Sequence, residues 1–402
     1  MIDYKTAGES HGKGLMLIID GIPAGIKINR KLIDDKLARR QGGYGRGGRM
    51  KIETDKIDIF SGIRQGKTIG SPVGLLIKNK DWKNWKQVMS PEPGEVTSKE
   101  EVEIKKDEKI KKISKKVTKP RPGHADLAGV IKYELDDIRN ILERASARET
   151  AARTALGGIM DNILKYFDIE IISHVLQIGK ISTASPDIEF DELKDVVYNS
   201  PLHCYDKDKE KEMMDYIDQI KEKGDSLGGI IEIRTTPLPV GLGSHTVWKD
   251  KLEGRIAQAL MSIPAIKGIE IGSAFENATN TGSQVHDEIF YEEDQGFYHT
   301  TNKAGGIEGG ITNGEQLVIR MAMKPIPTLY KPLQSVDIEN KQEFKASVER
   351  SDVTAVPAAG VVGEAMTGFI LTQALLEKFG GDNIQETLNN YRSYLKENKY
   401  LN

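Results

Sequence analysis

Two histidines stand in glycine-flanked turns: His11 in Gly8-Glu9-Ser10-His11-Gly12, and His124 in Arg121-Pro122-Gly123-His124-Ala125-Asp126. Imidazole titrates near neutrality, so it is the side chain best suited to pass a proton. Ser10 beside His11 does not make a nucleophile–base pair by adjacency. No G-x-S-x-G surrounds them, which argues against a serine hydrolase. Read alone, His11 also fits a surface or packed histidine. The second turn also fits plain punctuation before a helix, with Asp126 as its N-cap.

The second chemical signal is arginine. Residues 38–51 hold four arginines and five glycines in fourteen positions. Glycine lets backbone N–H groups approach a ligand, and guanidinium forks match phosphate and carboxylate. A loop closing over a small polyanion is the reading with most content. Gly43-Tyr44-Gly45-Arg46-Gly47-Gly48 also satisfies G-x-G-x-x-G, but a dinucleotide fingerprint follows a strand and opens a helix. Here a helix precedes. An RGG-type RNA segment and a plain flexible loop stay open. Further along, Arg144-Ala145-Ser146-Ala147-Arg148-Glu149 puts two arginines at a helix start, where orphan N–H groups favour anions. Lys324-Pro325-Ile326-Pro327-Thr328 stiffens a strand end with two prolines. Arg350 and Asp352 precede an apolar helix and fit a salt-bridged turn.

Several elements must position these residues. Strands are expected over 15–19, 52–60, 73–77, 170–177 and 229–235. Helices are expected over 29–40 with Asn29 as N-cap, 126–143, 208–223 and 251–262. Another starts near Ser146, whose oxygen has the spacing to accept from the Glu149 N–H in a capping box. Gln316 to Lys324 alternates apolar and polar, as a half-buried strand does. Residues 355–376 are apolar but broken by glycines and Glu364, which reads as a buried helix. Residues 91–119 are rich in Lys and Glu and read as a solvated helix or mobile insertion. Strand pairs mixed with helices, without steady βα alternation, predict an α+β layered protein.

Composition sets outer limits. The chain has 402 residues, 38% of them hydrophobic, with net charge −3. That is ample for a core and argues against a general nucleic-acid surface. The single cysteine, Cys204, permits no internal disulfide and suits a reducing cytosol. No secretory signal is recognisable, and no apolar run approaches ~20 residues, so no membrane span is expected. No metal site is expected, because the remaining histidines lack ligand spacing.

Seven motifs occur in the order found in chorismate synthases: GESHG, RRQGGYGRGGRM, RPGHAD, RASARET, AGGIEGG, MKPIPT and RSDVTAVPA. The chain resembles that family from residue 1 to about 380. Pro264 stands where many members carry Asn. The resemblance implies a β-α-β sandwich, one domain over 1–402 with an insertion at about 91–119, and a cytoplasmic homotetramer. It implies a lyase of the shikimate pathway to aromatic amino acids. 5-Enolpyruvylshikimate 3-phosphate loses phosphate and a C6 hydrogen in a 1,4-anti elimination that gives chorismate. The resemblance further implies reduced FMN as cofactor, lending an electron transiently, and NADPH as a possible reductant.

By the same resemblance, Arg40, Arg49, Arg148 and Arg350 contact the substrate anions, with Ser10 and Ser146 adding hydroxyls. Arg46 closes the loop or receives NADPH. FMN is held by Arg144, Ala145, Ser146, Ala265, Gly309, Lys324, Pro325, Ile326, Pro327, Thr328 and Arg350. His11 protonates the leaving phosphate, His124 protonates reduced flavin near N1, and Asp352 relays the C6 proton through flavin N5.

Overall fold

The structure is a computed structural model that describes residues 1–46, 54–92, 101–106, 109–114, 116–293, 296–331, 333–345 and 352–397. Two sheets enclose a helical layer. The first is four-stranded and antiparallel: Asp3–Ala7, Gly14–Asp20, Val73–Lys78 and Asp58–Ser61, in that spatial order. The second is five-stranded: Ile181–Ser182, Ile171–Ile178, Gly229–Pro237, Gln316–Met323 and Ile266–Ile271. Helices Arg30–Gln41, Thr150–Leu164 and Val356–Phe379 pack on one another between them. The Thr150 helix meets the first sheet, and the Val356 helix lies on the second. This is the α+β, β-α-β sandwich that the motif order implies.

Glycine explains how closely the helices approach. A β-carbon on Gly157 would sit 2.3 Å from the Ala365 β-carbon. Backbones that near need no side chain at the crossing. The Val356 helix is long and apolar enough to cross a membrane, but 94% of its most apolar window is buried inside the fold. It is a core helix.

One acid is buried in that core. Glu364 receives both terminal nitrogens of Arg39, at 2.9 and 2.8 Å, and both donors of Ser173. Lys36 stands 3.4 Å away. Burial pushes the carboxyl up, but Arg39 and Lys36 outweigh it and hold the group down at about 2. A depressed carboxyl stabilises the fold above its unfolded value near 4.5 and loses that contribution as pH falls toward 2. Urea midpoints of the wild type will therefore drop between about pH 5 and 2 more steeply than those of Glu364→Gln. The variant will be roughly 3 kcal/mol less stable at pH 7, because it strands Arg39. Parallel pH curves would remove Glu364 from this role.

Four sequence expectations need correction. Within 91–119 the chain forms an antiparallel hairpin, Glu101–Lys106 with Lys109–Ser114, not a helix. Glu101-Val102-Glu103-Ile104 alternates with period two, a pattern masked by its many charges, and Glu103 pairs in register with Lys112. The expected 52–60 strand begins only at Asp58; residues 52 and 53 lie outside the described set. Asp55 is drawn off the sheet, its N–H donating to the Gln41 side chain. The 126–143 helix is two helices, Asp126–Tyr133 and Arg139–Leu142, parted at Glu134 with φ 52°. The Ser146 oxygen accepts from the Arg148 N–H rather than from Glu149, because the first turn is a 3₁₀ turn.

Candidate active site

The Arg30 helix is capped by the Asn29 side chain, which accepts from the Lys31 N–H. It ends with Arg40 pointing inward at 5% exposure. Arg40 Nε donates to Thr150 Oγ1 at 2.9 Å, and Nη2 to the Ala147 carbonyl at 3.0 Å. Asp55 Oδ2 lies 3.7 Å from Arg40 Nη1 and 2.6 Å from Arg148 Nη1. Arg40 is lowered to about 10 in all: burial lowers it most, Asp55 opposes, and the Arg46 and Arg148 charges add to the lowering. The sequence-distant arginines 40, 46 and 148 therefore share one electrostatic environment.

Beyond Gly42 the loop is docked rather than loose. The Tyr44 N–H donates to the Pro201 carbonyl, and the Gly45 carbonyl accepts from the Val353 N–H at 2.9 Å. Gly45 sits at φ +81°, and a β-carbon there would lie 3.0 Å from the Thr354 methyl. That contact brings Arg46 to Asp352, 2.8 Å apart. Arg40 Nη1 and Arg46 Nε are buried without a hydrogen-bond partner among the described residues. Unsatisfied buried N–H groups are costly, and these are donors that an anion could use. Asp55 pairs with Arg40 and Arg148, and Asp352 with Arg46.

The GESHG turn is stitched to this group. Asn79 Nδ2 donates to the Glu9 and Gly12 carbonyls, while its Oδ1 accepts from Arg148 Nε. Ser146 Oγ donates to Ser10 Oγ at 3.2 Å. His11 Nδ1 lies 3.0 Å from both carboxylate oxygens of buried Glu143. Its ring stacks on Trp85, with centroids 3.8 Å apart. Arg144 donates to the Thr6 and Gly8 carbonyls, clasping the strand that leads into the turn. Next to it, the Ala145 N–H donates to the Ile141 carbonyl.

The second histidine belongs to a neighbouring group. His124 Nδ1 lies 2.5 Å from Asp126 Oδ1. Asp126 is not an N-cap: it is the first helical residue, and its carboxylate accepts from the Arg121 N–H and guanidinium. Burial raises Asp126, yet His124 and Arg121 hold it well below the usual carboxylate range. The Lys324 ammonium donates to the Gly123 carbonyl at 2.7 Å, and the Lys324 N–H to the Ala265 carbonyl. Ala265 holds φ +70°, a strained value for a residue with a β-carbon. Ser226 Oγ donates to the Ile326 carbonyl, and the Leu227 N–H to the Val353 carbonyl, so this group joins the first through residues 226–227.

Ser10, His11, Arg40, Arg46, Ser146, Arg148 and Asp352 are thus brought together. His124, Ala265, Lys324 and Ile326 form the adjoining group; Pro325, Pro327 and Thr328 follow on the same loop. Gly309 stands apart on the hairpin of Ile307–Glu308 and Ile311–Thr312. Arg49 and Arg350 lie outside the described residues. Sequence reasoning missed Asp55, Asn79, Trp85, Arg139 and Glu143, and quoted Arg121 in its motif without giving it a role. Among the described residues no group of three or more His, Cys, Asp or Glu could hold a metal ion.

The chorismate synthase family model matches residues 2–376. This chain belongs to the chorismate synthase family. Its members are carbon–oxygen lyases. The chorismate synthase of Geotalea uraniireducens is 52% identical, with 98% of each chain covered. That of Geobacter sulfurreducens is 53% identical over 98% of this chain and 99% of the relative. A solved chorismate synthase crystal structure superposes with TM-score 0.77 at 41% identity, covering 99% of this chain and 98% of that one. Family membership accounts for the motif order and the sandwich together.

Proposed function

We propose that this chain converts 5-enolpyruvylshikimate 3-phosphate into chorismate and phosphate by 1,4-anti elimination, with reduced FMN as cofactor. One observation carries the reading: Arg40, Arg46 and Arg148, their side chains no more than 10% exposed, converge, Asn79 ties Arg148 to the turn that carries His11, and Arg40 Nη1 and Arg46 Nε have no hydrogen-bond partner among the described residues. A phosphate and two carboxylates are the anions that such a group would neutralise. One charge-assisted bond contributes only about 1.5–3 kcal/mol, so several are needed to bury three charges.

The residues present also fit a flavin mononucleotide. Lys324 offers a cation for its phosphate beside the Gly123 turn. Pro327 packs against that turn, and Ala265 is strained next to Lys324. Ala145, Ser146, Arg144 and the 324–328 loop would complete the holder. Bound reduced FMN supplies transient electron density that eases phosphate departure. His11 gives a proton to the leaving phosphate oxygen. Asp352 accepts the proton that C6 loses, and Arg46 Nη1, 2.8 Å from Asp352 Oδ2, fixes where that carboxylate stands. His124, fixed by Asp126, holds a proton at the cofactor side. The ring double bond shifts as C–H and C–O bonds break, so the balance needs no net oxidant.

The test is an anaerobic assay with photoreduced FMN, read as the ultraviolet absorbance of chorismate and as released phosphate. Both should rise together; neither rising would sink the proposal. A second arm with oxidised FMN plus NADPH decides whether the chain reduces its own flavin. The same reading has the chain working as one domain, as a cytoplasmic homotetramer, which light scattering of the purified protein checks.

A further inference from the structure

We infer that Glu143 is a positioning residue that fixes the tautomer of His11, so that the ring nitrogen facing the substrate is Nε2. The inference rests on the proton-transfer role given to His11 above. Four contacts converge on this one side chain. The His11 N–H donates to Glu143 Oε2 at 2.9 Å, and His11 Nδ1 lies 3.0 Å from both carboxylate oxygens. Arg139 Nη1 stands 3.3 Å from Oε1. The Glu143 carbonyl, in turn, accepts from the Ser10 N–H at 3.0 Å. Glu143 is 2% exposed, so water does not compete for these bonds.

The chemistry follows from donor arithmetic. Burial raises the Glu143 carboxyl, but the His11 hydrogen bond and charge, with Arg139, hold it below the ordinary value. An ionised carboxylate only accepts. His11 Nδ1 must therefore carry hydrogen whenever the ring meets Glu143, and the other nitrogen is left to exchange a proton. Trp85 closes one face of the ring, with 22° between the planes, and blocks rotation about the remaining torsion. Arg139, whose guanidinium lies 5.5 Å from the Trp85 ring centre, braces the same unit from behind. A carboxylate that selects a histidine tautomer acts through the imidazole and never touches substrate.

The replacement Glu143→Gln keeps the shape but lets an amide N–H donate to Nδ1, which permits the opposite tautomer. In the full-length enzyme with reduced FMN, kcat should fall at least about 30-fold, with KM changed less than about threefold. Glu143→Asp, which keeps the charge but shortens the reach, should recover part of that loss. In a His11→Asn background, adding Glu143→Gln should change kcat less than twofold. Solid-state nitrogen NMR of histidine-labelled, ligand-free protein gives a readout independent of activity, with His11 assigned by the signal lost in His11→Asn. Hydrogen on Nδ1, alone or with Nε2, supports the inference; hydrogen on Nε2 alone overturns it. An active His11→Asn would defeat the proton-transfer role itself. An inactive His11→Asn beside a fully active Glu143→Gln would defeat only the positioning role. If Glu143→Gln does not fold, the wild-type spectrum and Glu143→Asp still decide.

Discussion

His11→Asn will lower single-turnover phosphate release by about 10²–10⁴-fold while substrate affinity stays within roughly threefold. The large effect is expected because phosphate leaves poorly as an unprotonated anion, and His11 is the imidazole on the turn that Asn79 ties to Arg148. The small effect on binding is expected because Arg40, Arg46 and Arg148 make their own contacts, and Asn79 holds the GESHG turn through backbone carbonyls. Rapid-quench phosphate measurement with excess enzyme, paired with calorimetric titration, separates the two. Release at the wild-type rate would eliminate His11 as the proton donor.

The second large effect belongs to Arg40→Met. Substrate affinity should fall about 10²-fold, the worth of one or two charge-assisted bonds. The ligand-free melting temperature should hold or rise. The sign follows from Arg40 sitting at about 10 rather than its ordinary 12.5. A base with a depressed folded value destabilises the fold wherever it is charged, and that penalty lifts only above about pH 10. Roughly 3 kcal/mol is at stake at neutral pH. Methionine removes this cost and preserves most of the packing. The Thr150 hydroxyl already donates to the Ala147 carbonyl at 2.6 Å, so neither acceptor of Arg40 is stranded. Differential scanning fluorimetry checks it. A melting point lowered by ten degrees would show Arg40 to be a structural brace instead. The wild type should also gain more from inorganic phosphate than the variant does, since an anion relieves the arginine repulsion.

Much of the frame was legible because it obeys simple periods. Leu317, Ile319, Met321 and Met323 are the buried face of a strand, as their alternation requires. Asn29 caps its helix, and the glycine-broken apolar run is the core helix. Within the site, His11 and Arg148 could be singled out because glycine turns and a helix start announce them. Their partners could not. Asp55, Asn79 and Glu143 sit in ordinary surroundings in the chain and gain meaning only from contacts that close loops of many residues. Glu143 is 132 positions from His11, and Asp55 is 93 from Arg148. No local spacing encodes such a pair. Asp126 was misread for a related reason. Its spacing to the helix fits a cap, but Arg121 and His124 satisfy its oxygens first.

The short run from Asp352 to Thr354 is gripped on two sides. Val353 gives its N–H to Gly45 on the arginine loop and takes the N–H of Leu227, whose neighbour Ser226 holds Ile326. A single residue is thus the rivet through two plates, the arginine loop and the loop of Ile326. Under the proposed function, a shift of the arginine loop on binding one small molecule is expected to reach the Ile326 loop through Val353. A side chain forced in at Gly45 would loosen both at once.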